Sequence, residues 1–297
     1  MVKICIVGSG YLGTQIGALS ARSGYTVSMH DISEDPFNIS KKSVKEYLQE
    51  WIETGIIKPE QTKEITQRIS YTTDLAAAVR EAEIVIEAVV ERLDVKRMVF
   101  KQLDALCDPS VIICSNSSSI KISLVEDATM HPERVLNMHF YGYPWRRSVL
   151  ELMKGTKTTD ETIEKARKYA KSIDVTPLTV LKESTGFIFN RVWRAIKKEC
   201  LTVADTGVAS FEDVDRAWMS LYKTDTGPFG LMDRVGLDVV RDIEMVYYRE
   251  SGETRDKPPK LLVDKISKGE LGVKTGKGFY TYPNPEFMKP GWLHGES

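Results

Sequence analysis

Val2-Lys3-Ile4-Cys5-Ile6-Val7-Gly8-Ser9-Gly10-Tyr11-Leu12-Gly13 decides the fold. The first six residues are apolar apart from Lys3 and do not alternate, the mark of a strand buried on both faces. The next six fit G-x-G-x-x-G, and an apolar-faced helical segment over residues 11–23 follows. A strand, a glycine turn and a helix in that order make a phosphate-binding unit. Gly8 permits the tight turn, Gly10 leaves room for a pyrophosphate against the backbone, and Gly13 lets helix and strand pack closely. Free N–H groups at the helix start then meet the phosphates, with Ser9 and Leu12 in the same turn.

A second apolar run, residues 25–29, ends at His30-Asp31. A carboxylate about 20 residues past the glycines accepts hydrogen bonds from a ribose diol and repels a 2′-phosphate, so NAD is favoured over NADP. A glycine turn without a ligand is the alternative for the motif alone. Strand, helix and acid in register argue against it.

Further strand candidates are residues 84–89, 111–114, 135–139, 149–153 and 176–181, with helical stretches between them. That alternation predicts a parallel sheet with crossover helices. Val44, Leu48, Trp51 and Ile52 share one helical face, ended by Gly55. Pro59 suits the first turn of a second helix carrying Ile65 and Ile69, which makes an inserted helical hairpin. Past residue 183 only helical spacing remains. One helix carries Ile188, Val192, Ala195, Ile196 and Glu199, and another Val214, Ala217, Trp218 and Leu221. A third is capped by Asp238 and runs through Val239, Ile243, Val246 and Tyr247, and a fourth holds Leu261, Leu262 and Ile266 before Gly269. The expected fold is α/β: a Rossmann-type doubly wound sheet with a helical hairpin over residues 1–183, then an all-helical domain over 184–297.

The 297 residues are 42% hydrophobic and 28% charged, enough to bury a sizeable core. Lys+Arg is 41 against Asp+Glu 42, and this balance argues against nucleic acid as a partner. No apolar run reaches the roughly 18 residues that span a bilayer. No signal-peptide pattern opens the chain. Cys5, Cys107, Cys114 and Cys200 form no C-x-x-C pair, which disfavours a disulfide framework or a metal site and fits a reducing cytoplasm.

Of the four histidines, His139 ends the run Val135-Leu136-Asn137-Met138 at a strand's C-terminal edge, where ligands of doubly wound sheets bind. Histidine is the usual general base for hydroxyl oxidation near neutral pH. Equally, the sequence allows a satisfied, half-buried ring. Glu151 interrupts the apolar run Val149-Leu150-Glu151-Leu152-Met153, and a charge there is costly unless paired, which points to His139. The alternative is an outward-facing side chain on an edge strand. Ser115-Asn116-Ser117-Ser118-Ser119-Ile120 is a hydroxyl-rich loop that either caps a helix or bonds substrate oxygen and nicotinamide. Asn190 falls in the first turn of the first helix of the second domain.

These residues resemble the NAD-dependent L-3-hydroxyacyl-CoA dehydrogenases, of the short-chain 3-hydroxybutyryl-CoA type. The resemblance runs through Gly8–Gly13, Ile86-Glu-Ala-Val-Val-Glu91, Ser115–Ile120, His139-Phe140, Glu151, Thr185-Gly-Phe-Ile-Phe-Asn-Arg191, Gly227-Pro-Phe-Gly-Leu-Met-Asp233 with Gly236-Leu-Asp238, and Lys274-Thr-Gly-Lys-Gly-Phe-Tyr280. It implies a Rossmann-type domain and a helical domain through which two chains form a homodimer. It implies that His139 removes the 3-hydroxyl proton with Glu151 as its partner, and that Ser118 and Asn190 hold the substrate oxygen. Ser118 also borders the cofactor. Glu91 and Lys96 would line the nicotinamide-ribose side with Lys274 close by, and hydride would pass between substrate C3 and the ring.

Two stretches depart from the family pattern. Where the family reads His-Phe-Phe-Asn-Pro, this chain has His139-Phe140-Tyr141-Gly142-Tyr143-Pro144, followed by Trp145-Arg146-Arg147. Two arginines suit a free carboxylate, held bidentately, though a solvated charged loop accounts for them equally. The hairpin, which holds coenzyme A in the family, carries Glu46, Glu50 and Glu53, of a sign that repels its phosphates. A dehydrogenase of small free 3-hydroxy acids, similar to gulonate or carnitine dehydrogenases, is therefore the alternative expectation. A non-catalytic lens-type protein is the second, and the presence of Ser118, His139, Glu151 and Asn190 together argues against it.

Overall fold

The computed structural model describes residues 2–295, which form two compact units meeting in sequence at Ile188 and Phe189. The first unit is built on one eight-stranded sheet. In chain order its elements are β1 (Lys3–Val7), α1 (Tyr11–Arg22), β2 (Thr26–His30), α2 (Asp35–Glu53), α3 (Gln61–Gln67), β3 (Ile69–Thr72) and α4 (Leu75–Val79). There follow β4 (Ala82–Glu87), α5 (Leu93–Leu106), β5 (Ile112–Ser115), β6 (Val135–Phe140), β7 (Val149–Lys154), α6 (Asp160–Ser172) and β8 (Thr176–Val180). The sheet order is β3-β2-β1-β4-β5-β6-β7-β8. Chain direction in the order reverses beside β1, so the ends of β1 and β4 open a crevice there.

Both faces of the sheet are covered, as the continuous apolar runs require. Ile4, Ile6, Leu136, Met138, Leu150 and Leu152 join one core with α1, α2 and α6, while Cys5, Val7, Val85, Ile113 and Val135 join another with α4 and α5.

Two expectations about the sheet are corrected. Every pairing was expected to be parallel, but β6 and β7 run antiparallel, with His139 opposite Glu151. Only residues 141–148 connect them, too few for a crossover helix. Ile69 was placed on the helix of Ile65, but α3 stops at Gln67 and Ile69 opens β3, opposite Val27. Its β-branched and aromatic neighbours suit a strand, and pairing satisfies the open edge of β2. Pro177 lies on β8, an edge strand, where a missing N–H is tolerated.

The second unit holds α7 (Phe189–Asp205), α8 (Phe211–Tyr222), α9 (Pro228–Val235), α10 (Leu237–Ser251) and α11 (Lys260–Ser267). Ile188 precedes α7 rather than lying on it. On α8 the inward residues are Asp215 and Met219, whereas Leu221 is exposed. Val214 packs on the core as its spacing requires, and the Asp215 carboxylate beside it accepts the N–H groups of Phe229 (2.8 Å) and Gly230 (3.0 Å) at the start of α9, so a charge turns inward next to the apolar face. Asp238 sits inside the first turn of α10, not at its cap. No helix among the described residues is long and apolar enough to cross a membrane.

Candidate active site

The glycine turn between β1 and α1 is built as its glycines demand. Gly8 has φ +108°, and its N–H donates to the His30 carbonyl (2.8 Å). A Cβ on Gly13 would lie 1.9 Å from the Gly8 carbonyl oxygen, so the helix reaches this close only without a side chain. A Cβ on Gly10 would meet nothing within 4 Å. The space that Gly10 leaves therefore faces outward, at a helix start with no acidic residue in its first turn. These are the features a dinucleotide's pyrophosphate needs.

Asp31, one residue past β2, is tied to the same turn. Its Oδ2 accepts the Ser9 N–H (2.7 Å) and its Oδ1 the Ile32 N–H (2.8 Å). The acid stays half-buried and fixed beside the phosphate turn, and the residues present fit NAD. Ser9 is buried, and Leu12 packs against the core beneath the turn rather than reaching outward.

Past β4 and β5 a second network forms. Lys96 was expected to line the cofactor side, but it is only 1% exposed, with Nζ 2.7 Å from Glu87 and 3.3 Å from Glu91. Glu87 is fully buried and also accepts the Val89 N–H (2.8 Å) and the Ser115 hydroxyl (2.7 Å). Glu91 takes the hydroxyls of Ser117 (2.5 Å) and Ser119 (2.8 Å). Burial alone would raise the Glu91 carboxyl, but Lys96 and these hydroxyls outweigh it and hold it below the usual range. Lys96 thus orders the loop that presents Glu91, while Ser118 stands exposed at the tip of the serine loop.

His139 and Glu151 meet across β6 and β7. Nδ1 lies 2.9 Å from Glu151 Oε2, with the ring 5% exposed and the acid 0%. An ionised carboxylate only accepts, so Nδ1 carries the proton and Nε2 is left free to take one. Glu151 Oε1 accepts the Ile188 N–H (2.8 Å), and Oε2 also accepts the Tyr141 hydroxyl (2.8 Å). The rings of Tyr141 and Phe187 pack edge-on against the imidazole at 4.6 and 5.3 Å. Asn116 Oδ1 accepts the Phe140 N–H (2.8 Å) and so pins the serine loop to the end of β6.

The loop between β6 and β7 is anchored rather than solvated. Trp145 Nε1 (2.8 Å) and Arg146 Nε (2.7 Å) both donate to Glu50 Oε1 on α2. Trp145 packs edge-on against Trp51 and tilted against Tyr47, and the Arg146 guanidinium covers the Tyr143 ring at 4.7 Å. The two-arginine clamp is therefore not preformed, because Glu50 already holds Arg146. Arg147 is exposed. The hairpin acids are partly neutralised in the same way, since Glu46 lies 3.9 Å from Lys42. A groove of about 430 Å³ between α2 and α3 is lined by Lys45 and Lys63 beside Leu48 and Ile52.

In the second unit, Asn190 lies in the first turn of α7, and Lys274 Nζ is 2.6 Å from both oxygens of Asp238. Sequence reasoning singled out the serine loop but gave Asn116 and Ser117 no part of their own, and it missed Glu87 and the bond that Tyr141 makes to Glu151. Glu87 ends an apolar run as Glu151 interrupts one, so the cost of an unpaired buried charge was a signal for both.

The family of the 3-hydroxyacyl-CoA dehydrogenase NAD binding domain matches residues 3–184, and that of the 3-hydroxyacyl-CoA dehydrogenase C-terminal domain matches residues 186–282. A probable 3-hydroxybutyryl-CoA dehydrogenase of Bacillus subtilis is 32% identical, over 94% of this chain and 97% of that protein. The mitochondrial hydroxyacyl-coenzyme A dehydrogenase of Homo sapiens is 31% identical, over 94% and 90%. The crystal structure of (S)-3-hydroxybutyryl-CoA dehydrogenase from Ralstonia eutropha superimposes with a TM-score of 0.89 at 31% identity, over 94% and 98%. The chain belongs to the 3-hydroxyacyl-CoA dehydrogenase family and is an NAD-dependent oxidoreductase of the CH–OH group.

Proposed function

We propose that the protein interconverts a short-chain 3-hydroxyacyl-CoA and its 3-keto form, with His139 as the catalytic base. The observation that carries this reading is the His139–Glu151 pair at the C-terminal edge of β6, with Nδ1 held at 2.9 Å and Nε2 free. In the oxidative direction Nε2 takes the 3-hydroxyl proton. Glu151 fixes the ring tautomer and stabilises the imidazolium that results. Bound NAD supplies the acceptor for the C3 hydride. Ser118 and Asn190 hold the substrate oxygen, the roles that the resemblance gives them. Glu91 borders the nicotinamide ribose, supported from beneath by Lys96, and the resemblance gives Lys274 a part in holding the cofactor.

Coenzyme A is favoured over a free acid because Arg146 is committed to Glu50, while Lys45 and Lys63 line the hairpin groove. Arg147 is the cation left for a carboxylate. The test is NADH oxidation with acetoacetyl-CoA against free acetoacetate. Fast turnover at micromolar thioester upholds the reading. Turnover confined to the free acid overturns it.

The second unit leaves Phe189, Val192, Leu221, Tyr222 and Val239 exposed on α7, α8 and α10. Exposed apolar side chains on these helices suit a contact with a second copy of the chain. A reducing cytoplasm suits the four free cysteines, three of them buried.

A further inference from the structure

Tyr141 stands where the family pattern has phenylalanine. Side chains two apart on a strand share a face, so Tyr141, next after β6, falls on the side of His139. Its hydroxyl and His139 Nδ1 converge on one oxygen, Glu151 Oε2, at 2.8 and 2.9 Å. Burial and the adjacent carboxylate push the phenol far above its ordinary value, so it remains a proton donor throughout the working range.

We propose that the Tyr141 hydroxyl, by sharing Glu151 Oε2 with His139, keeps the imidazole a weaker base than the two-residue pair alone would, and so sets the pH range of the reaction. Tyr141 is a positioning residue acting through Glu151. A carboxylate oxygen that already accepts a charge-assisted bond offers less to a second donor. The imidazolium therefore gains less from Glu151, and the proton leaves His139 at lower pH.

Other groups face the pair from β8, the segment after it, the serine loop and β6. On β8 the residue opposite Glu151 is Leu178. After β8, Lys182 is exposed, Glu183 accepts the Ser123 N–H (2.9 Å), Phe187 packs on the imidazole, and Ile188 donates to the other oxygen of Glu151. Asn116 and Asn137, facing from the serine loop and β6, are neutral and bonded to backbone.

The inference rests on His139 being the base, so the experiment separates the two. Tyr141→Phe removes one oxygen and restores the family's residue. The His139 ring is titrated by NMR in the cofactor-free protein, its signals identified by their loss in His139→Gln. The pH profiles of kcat/KM are then measured in both directions. In Tyr141→Phe the NMR midpoint should rise by about 1 pH unit. The acid limb of oxidation and the alkaline limb of reduction should rise with it, making oxidation about ten-fold slower below the limb. A merely structural role lowers both profiles without moving either limb, and that result overturns the proposal. 3-Fluorotyrosine at position 141, a stronger donor, should move midpoint and limbs downward. An unmoved midpoint in both variants overturns the proposal alone. A midpoint that moves without the limbs overturns the base assignment, and the proposal with it.

Discussion

His139 and Glu151 are direct cross-strand partners in the antiparallel pair of β6 and β7, with Nδ1 2.9 Å from Oε2. Side chains directly opposite on one face meet without help from any loop, so the pair is rigid. Glu151→Gln preserves the shape but offers an amide to Nδ1, favouring the wrong tautomer. By analogy with the serine-protease triad, kcat should fall about 10³–10⁴-fold with KM nearly unchanged. His139→Gln should cost a similar factor, and the double variant little more than either single one, because the two act as a unit. Steady-state kinetics of the three variants decide this. Costs that multiply would sink the pairing as a catalytic unit.

The two glycines of the turn should fail differently. Gly13→Ala places a methyl 1.9 Å from the Gly8 carbonyl oxygen, a clash with backbone that only a shift of α1 relieves. It should lower the melting temperature and weaken NADH binding together. Gly10→Ala meets no protein atom within 4 Å. It should leave the melting temperature unchanged and weaken NADH binding by about ten-fold or more, since the methyl occupies the space of the pyrophosphate. Thermal melts paired with NADH fluorescence titrations distinguish the two.

How much of this is legible in sequence follows from range. The glycine turn and Asp31 are legible because the geometry of one strand, turn and helix fixes them locally. The contact of Glu151 with His139 is legible through an energetic argument: a charge within an apolar run needs a partner. Tyr141 is not, because its hydroxyl finds Glu151 only when residues 141–148 turn β7 back against β6. Nor is the inward face of α8, where Asp215 is drawn in by free N–H groups at the start of α9, a helix yet to come in the chain. Ile69 fails for a related reason, since helical spacing carries no record of the open edge of β2.

Asp31 should govern cofactor choice. Its carboxylate is held beside the phosphate turn by the Ser9 N–H. Asp31→Ser removes the acceptor for a ribose diol and the charge that repels a 2′-phosphate. The ratio of kcat/KM for NADH to that for NADPH should drop about 10–100-fold, an effect of roughly 1.4–3 kcal/mol. An unchanged ratio would place the ribose elsewhere.

Exposed Val192 on α7 and Leu221 on α8 should belong to a contact between two copies of the chain. Sedimentation of the unaltered protein should show a dimer. Val192→Asp combined with Leu221→Asp should give a folded monomer, since neither side chain lies in the core of the second unit. A monomer before substitution removes the idea.

Lys96 offers the sharpest separation of structure from chemistry. Its ammonium lies between Glu87 and Glu91, with Lys96 1% and Glu87 0% exposed. Lys96→Met keeps the stem but leaves two carboxylates close together with their cation gone. Breaking a buried pair from one side costs about 3–5 kcal/mol. The sign of the pH dependence follows from Glu91, whose carboxyl lies below its ordinary value in the folded protein, chiefly because Lys96 overcomes the penalty of burial. Such a group stabilises the fold fully above its ordinary value, and that contribution is lost as the pH falls through the folded one. Without Lys96 the contribution disappears, so the difference between the two proteins should be greatest at pH 7. It should shrink toward pH 4, where Glu91 in the variant takes up a proton and relieves the repulsion. Urea unfolding of both proteins at the two pH values measures this, and an equal loss at both would show that Lys96 acts by packing rather than by charge.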